Sequence, residues 1–197
     1  LEGYITFAGS SFGNAVQGNY AYVGAKNHGM YIIDITNKKE PKVVSNIIIG
    51  DRRFKDEIYM YGGYCVAVKG NYAYLTDSGR VLVIDVSDPY NPKEAGRFEE
   101  GTTYKVKFSQ GYVAYTSGEP FDIDIEGDYA YVADEYAGLI VLDISEPTKP
   151  VCVGYYGRTC KNIAVSGNYV YAVSQLSDLA IYDVSKIKKL KEKGKKK

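Results

Sequence analysis

Along this chain apolar positions alternate with small or polar ones in short runs, and helical spacing is absent before the Lys-rich end. Val66-Ala67-Val68, Ile123-Asp124-Ile125 and Ile163-Ala164-Val165 each read as a strand running into Gly-Asn or Gly-Asp. That dipeptide signals a two-residue hairpin, with positive φ available to Gly and Asn. After the turn Tyr alternates with Ala or Val, which makes one strand face large and the other small. The next run is almost continuously apolar, as in Val81-Leu82-Val83-Ile84 and Leu139-Ile140-Val141-Leu142. Such a run suits a strand covered on both faces. The pattern predicts an all-β protein of small sheets stacked against one another.

The pattern repeats. Gly18-Asn19-Tyr20-Ala21-Tyr22, Gly70-Asn71-Tyr72-Ala73-Tyr74, Gly127-Asp128-Tyr129-Ala130-Tyr131 and Gly167-Asn168-Tyr169-Val170-Tyr171 are copies of one unit. Each is followed 15 or 16 residues after its Gly by Asp34, Asp85, Asp143 or Asp183, leading Asp-[Ile/Val]-[Ser/Thr]. Pro41, Pro92 and Pro150 come next in the first three copies. The 40-residue period between the last two copies lies in the range of propeller blades. Three strands plus the segment after Pro, Val151-Cys152-Val153-Gly154-Tyr155-Tyr156, make a four-stranded antiparallel blade.

The strand followed by Asp-[Ile/Val]-[Ser/Thr]-x-Pro-x-x-Pro resembles the LVIVD repeat, best at Leu139–Pro150 and Val81–Pro92 and less closely at Met30–Pro41. The fourth copy, Leu179–Ser185, keeps Asp183-Val184-Ser185 and lacks the prolines. The resemblance implies a β-propeller and, since the family consists largely of uncharacterised surface or secreted proteins, an extracellular or cell-surface location. WD and kelch propellers fit less well, because both usually rely on Trp and this chain has none.

The expected fold is a single small β-propeller over residues 1–185, with four four-stranded antiparallel blades at about 13–48, 63–98, 121–156 and 160–184. The last repeat stops after its third strand. Gly3-Tyr4-Ile5-Thr6-Phe7 resembles Gly154-Tyr155-Tyr156-Gly157, so residues 1–7 are expected to close the last blade as its outer strand. Closure removes exposed sheet edges. A complete four-bladed ring is favoured over part of a larger ring or assembly.

Composition changes this picture little. The chain has 197 residues, 45% of them hydrophobic, and no apolar run long enough to span a membrane. Its zero net charge divides into +7 over residues 186–197, a Lys-rich tail, and −7 over the body. The tail lacks Arg and aromatic residues, which argues against nucleic acid as a partner. Cys65, Cys152 and Cys160 form no Cys-x-x-Cys motif and sit among apolar residues, so they read as buried free thiols.

The repeat is its own control: what recurs in every blade serves the blade. Asp34, Asp85, Asp143 and Asp183 are therefore expected to accept hydrogen bonds from the following turn, and the paired Tyr residues to pack between blades. Two insertions, near 50–62 and 99–118, break the symmetry. They are expected on the face that carries the loops between second and third strands. That face gathers the candidate ligand-binding residues Arg52, Arg53, Tyr59, Tyr61, Tyr104, Tyr112, Tyr115, Asp77, Asp134 and Glu135, with His28 and Asp178 nearby in the pattern. Aromatic rings with Arg and carboxylates suit protein or glycan contact.

No catalytic residue, cofactor or metal is expected. His28 is the only histidine and has no Gly-x-Ser-x-Gly elbow beside it. Phosphate loops and dinucleotide fingerprints are missing, and Asp122-x-Asp124 is a weak calcium signal. The expected function is non-enzymatic: a binding or structural propeller domain contacting protein or glycan. The alternatives are a polysaccharide-acting hydrolase or lyase using loop-face carboxylates, and an extracellular assembly subunit that self-assembles by donating its N-terminal strand.

Overall fold

The structure, a computed structural model, describes residues 1–48, 52–54, 57–59, 65–77, 79–99, 104–107, 113–116, 120–157, 159–174 and 178–187, with backbone alone for the strands within 52–59 and 104–116. Each repeat folds as an antiparallel sheet whose strands follow chain order. The first blade holds β1 (Ser10–Gln17), β2 (Tyr20–Lys26), β3 (Gly29–Asp34) and β4 (Lys42–Ile47). A two-stranded ribbon follows, β5 (Arg52–Phe54) and β6 (Glu57–Tyr59). The second blade holds β7 (Val66–Lys69), β8 (Tyr72–Asp77), β9 (Arg80–Asp85) and β10 (Lys93–Glu99). A second ribbon, β11 (Tyr104–Lys107) and β12 (Val113–Thr116), leads to the third blade: β13 (Pro120–Glu126), β14 (Tyr129–Asp134), β15 (Gly138–Asp143) and β16 (Val151–Tyr156). The fourth sheet has three strands, β17 (Asn162–Ser166), β18 (Tyr169–Val173) and β19 (Leu179–Asp183).

Two local devices recur in every blade. The hairpin glycines turn with positive φ, +60° at Gly18 and +59° at Gly127. Among the described residues Asn27 is the one non-glycine with positive φ, so the turn Asn residues do not share that conformation. Glycine alone at the first central position gives a II′-like turn, which needs only one residue in the left-handed region. At the other device, Asp34, Asp85, Asp143 and Asp183 each accept, through Oδ1, the N–H of Thr36, Ser87, Ser145 and Ser185 at 2.8–2.9 Å. The residue after each Asp donates its N–H back to the hairpin, from Ile35 to Asn19, Val86 to Asn71, Ile144 to Asp128 and Val184 to Asn168. Those bonds lock each third strand to the preceding turn.

Blades stack large face on small face. Tyr22, Met30 and Ile32 of the first blade pack on Ala73, Leu75, Leu82 and Ile84 of the second. Tyr74, Val81 and Val83 then pack on Ala130, Val132, Ile140 and Leu142 of the third. Tyr131, Leu139 and Val141 pack on Val170 and Val184 of the fourth. The Tyr–Ala alternation thus works as a lock, a ring over a small residue at each joint. Full burial of each such side chain stabilises by roughly 1.5–3 kcal/mol.

One expectation fails. Residues 1–7 form no strand, and among the described residues the fourth sheet gains no outer partner. Among the described strands none of the fourth sheet packs extensively on the first. Residues 1–7 lie instead on the first blade. The Phe7 ring meets Tyr31 at 4.8 Å between centroids, and Gly3 runs so close to the Lys38 and Lys39 carbonyls that a Cβ has no room.

Candidate functional site

The two insertions leave and rejoin the blades at one end. Before the first, Ile47 is paired with Met30 at the β2–β3 hairpin, and the Asn46 side chain donates to the His28 carbonyl at 2.8 Å. After it, the Cys65 N–H donates to Thr76 Oγ1 at 2.8 Å, near the C-terminal end of β8. The second insertion departs after Glu99, opposite Arg80, and returns at Pro120, opposite Asp134. Both ribbons therefore spring from the face that carries the β2–β3, β8–β9 and β14–β15 hairpins. On that face Arg52, Arg53 and Tyr59 lie in the first ribbon, and Tyr104 and Tyr115 in the second. Tyr61 and Tyr112 lie outside the described residues, as does the tail from 188 onward.

The three candidate carboxylates sit differently from the ribbon residues. Asp77 is fully buried and forms an ion pair with Arg80, which stands directly opposite it across the β8–β9 hairpin and is itself buried. Asp134 occupies the equivalent position in the third blade and is also buried. Its Oδ1 accepts the N–H groups of Tyr136 and Ala137 at 2.7 Å, which shapes the β14–β15 turn. Glu135 is half-buried and pairs with Lys161 of the next blade at 2.8 Å, while the same ammonium lies 3.2 Å from the Phe121 ring centroid. Asp77 and Asp134 thus hold hairpins and are themselves buried there. A cavity of about 10 Å³, room for a single water, lies at the joint of the second and third blades, lined by Arg80, Phe98, Pro120 and Asp134.

The sequence reading missed the partners Arg80 and Lys161. The Asp-x-Gly-Arg spacing across a hairpin was the available signal for the first. It also missed a staple at the inner strands. Asp122 accepts the Ile163 N–H at 2.9 Å through Oδ2, and Asp124 accepts the Val165 N–H at 2.8 Å in the same way. Their Oδ1 atoms accept the N–H groups of Ile123 and Ile125. The paired carboxylates that read as a calcium signal tie β13 to β17, and among the described residues no cluster has the makings of a metal site.

His28 Nδ1 lies 3.1 Å from the Lys26 carbonyl oxygen. Cys65, Cys152 and Cys160 are free thiols, with Cys65 and Cys160 buried. Burial, reinforced by the nearby Asp122 carboxylate, pushes both of those thiols up to about 12, where no nucleophilic thiolate forms at neutral pH. On the opposite face a groove of about 340 Å³ opens between the second and third blades, lined by Lys69, Asn71, Tyr72, Asp128 and Pro147. Lys69 bridges it, donating to the Gly127 carbonyl at 2.5 Å.

The repeat described by sheet order, turn and Asp contact matches the LVIVD repeat four times, over residues 8–48, 59–100, 117–158 and 157–195. The chain belongs to the LVIVD-repeat family. Solved structures agree on the architecture. The β-propeller domain of Myceliophteria thermophila Cps50 (Swd1) is 11% identical, with a TM-score of 0.66 over 92% of this chain and 60% of that one. The computationally designed Ika4 protein is 10% identical, TM-score 0.59, over 91% of this LVIVD protein and 94% of Ika4. The designed Ika8 protein is 10% identical, TM-score 0.55, over 89% and 46% respectively, so the LVIVD chain spans about half of Ika8. No curated protein matches the sequence. Among the described residues no helix is long and apolar enough to cross a membrane.

Proposed function

We propose that this LVIVD propeller is a non-enzymatic binding or structural domain of an extracellular or cell-surface protein, and that it contacts protein or glycan through the face bearing the two ribbons. The observation that carries the reading is the departure from symmetry. A scaffold repeated four times is interrupted twice, each time at the same end of the blades, by a ribbon that carries Tyr, joined in the first by Arg52 and Arg53. Scaffold residues answer to the fold, whereas irregular segments on a rigid frame are where propellers accept ligands. Arg52, Arg53, Tyr59, Tyr104 and Tyr115 are the contact residues, with Tyr61 and Tyr112 beside them in the chain. The enzymatic alternative draws no support from the carboxylates, since Asp77, Asp134 and Glu135 are engaged within the scaffold.

The test removes residues 50–62 and 101–118 separately and probes the trimmed chains on glycan arrays and by cell-surface pull-down. Loss of binding with an unchanged far-UV spectrum is expected. Retention of every interaction after both deletions sinks the reading.

A further inference from the structure

The two ends of this molecule are the halves of an unmade joint. At interior joints the outer strand of one blade leans on the turn of the next. The Ser45 hydroxyl of β4 donates to the Pro89 carbonyl at 2.7 Å, and Gly96 of β10 lies against Thr148 with no room for a Cβ. Gly3 makes the same approach to Lys38 and Lys39, which occupy the matching turn of the first blade. Aligned on the repeat, Gly3 matches Ser45, Gly96 and Gly154, and Ile5 matches Ile47, Phe98 and Tyr156. Burial alternates accordingly, with Gly3, Ile5 and Phe7 half-buried and Tyr4 and Thr6 exposed. Residues 1–7 therefore lie where the outer strand of a blade preceding the first belongs.

At the other end the fourth sheet has three strands among the described residues. Leu179 and Ile181 of β19 are 60% and 59% exposed, whereas their counterparts Leu139 and Val141 are 0%. Tyr171 is 38% exposed against 0% for Tyr131. At the opposite end Val16 is 61% exposed, while the matching Val68, Ile125 and Val165 are half-buried under a neighbouring blade. Among its described residues the chain thus presents a large Tyr-Leu-Ile face with an unpaired edge, and separately the small face and the strand-like segment that fit it.

We propose that two copies of this chain join head to tail, each lending residues 1–7 to β19 of the other, so that two arcs of four blades close one eight-bladed ring. A heterologous joint whose rotation closes gives a ring rather than a filament. The four blades superpose on part of a larger ring, following 60% of the length of the Swd1 propeller. They also fit 46% of Ika8, half of a propeller about twice their size. The register follows from the interior sheets, where Ile140 faces Tyr155, Tyr31 faces Asn46 and Leu82 faces Arg97. By the same alignment Tyr4 faces Ala180, Ile5 faces Leu179 and Gly3 faces Ile181. This inference goes beyond the binding role above and does not depend on it.

Light scattering on the 197-residue chain is expected to give twice 21.8 kDa; a monomer or an open-ended polymer overturns the proposal. Ile181→Lys alters a side chain exposed in the single chain, so it is expected to yield a folded monomer. A folded variant that stays dimeric overturns the joint. Opposed antiparallel residues stand about 4.5–5.5 Å apart, within disulfide reach. Chains carrying Tyr4→Cys mixed with chains carrying Ala180→Cys are therefore expected to form a two-chain disulfide. If instead the disulfide forms only within a chain carrying both substitutions, the ring closes on itself and the two-copy proposal fails.

Discussion

Four aspartates in equivalent places do one job, to receive the N–H two residues on. For Asp34 and Asp85 the hydrogen bonds from Thr36 and Ser87 hold the carboxyl below its usual range. A carboxyl whose folded pKa is depressed contributes stability above its unfolded value, near 3.8, and loses it as pH falls through the folded value. Thermal melts are therefore expected to hold level from neutrality to about pH 5 and to decline below about pH 4, less steeply in Asp85→Asn. Loss of one such acceptor in Asp143→Ala is expected to cost about 1–2 kcal/mol in urea unfolding, in the range of other side-chain caps. The buried pair Asp77 and Arg80 is a stronger case. Removing one charge strands the other, so Asp77→Ala is expected to lose roughly 3–5 kcal/mol, while Asp77→Ala with Arg80→Met regains most of it. Equal losses in the single and double variants contradict that coupling. Cys65 and Cys160 are expected to resist iodoacetamide at pH 8 until the chain unfolds, as read by mass spectrometry.

At the scale of the strand, the sequence showed what repeats and hid what depends on a neighbour. Blade boundaries, hairpin glycines and the Asp turns were legible because each is a local requirement printed four times. Asp122 and Asp124 were not, because their meaning lies in the N–H groups of Ile163 and Val165 on another blade. The partners of Asp77 and Asp134 were hidden for a related reason: a carboxylate in a hairpin does not show in the sequence that the hairpin's own Arg80 or backbone N–H groups engage it. Residues 1–7 were legible as an outer strand by their likeness to β16, yet strand pairing needs an edge that this single arc does not bring to them. The inner-strand staple is expected to matter more than its position suggests. Asp124→Ala leaves the partly buried Val165 N–H without its acceptor, at about 1–3 kcal/mol. Faster hydrogen exchange at Val165 and Ile125, with the β14–β15 pairing intact, is the expected signature, and unaltered exchange at both amides counts against the staple.

Over the whole molecule, burial is unequal along the arc. The second and third blades are covered on both faces, and Leu82, Ile84, Val141 and Leu142 are all fully buried. The first and fourth are covered on one, with the fourth leaving Tyr169, Tyr171, Leu179 and Ile181 partly in water. In a repeat array each blade's stability is its own plus that of the interfaces it makes, so end blades open first. Hydrogen exchange in a dilute single chain is expected to be slowest in β8, β9, β14 and β15 and fastest in β17–β19. Raising the protein concentration then separates two physical situations. If the exposed face of the fourth blade is simply a solvated end, β19 exchanges at the same rate at every concentration. If a second copy covers it, protection of Leu179–Asp183 rises with concentration together with that of residues 1–7, while the interior strands change little. Protection rising at β19 without a matching rise at residues 1–7 would mean that something other than the spare strand covers that edge.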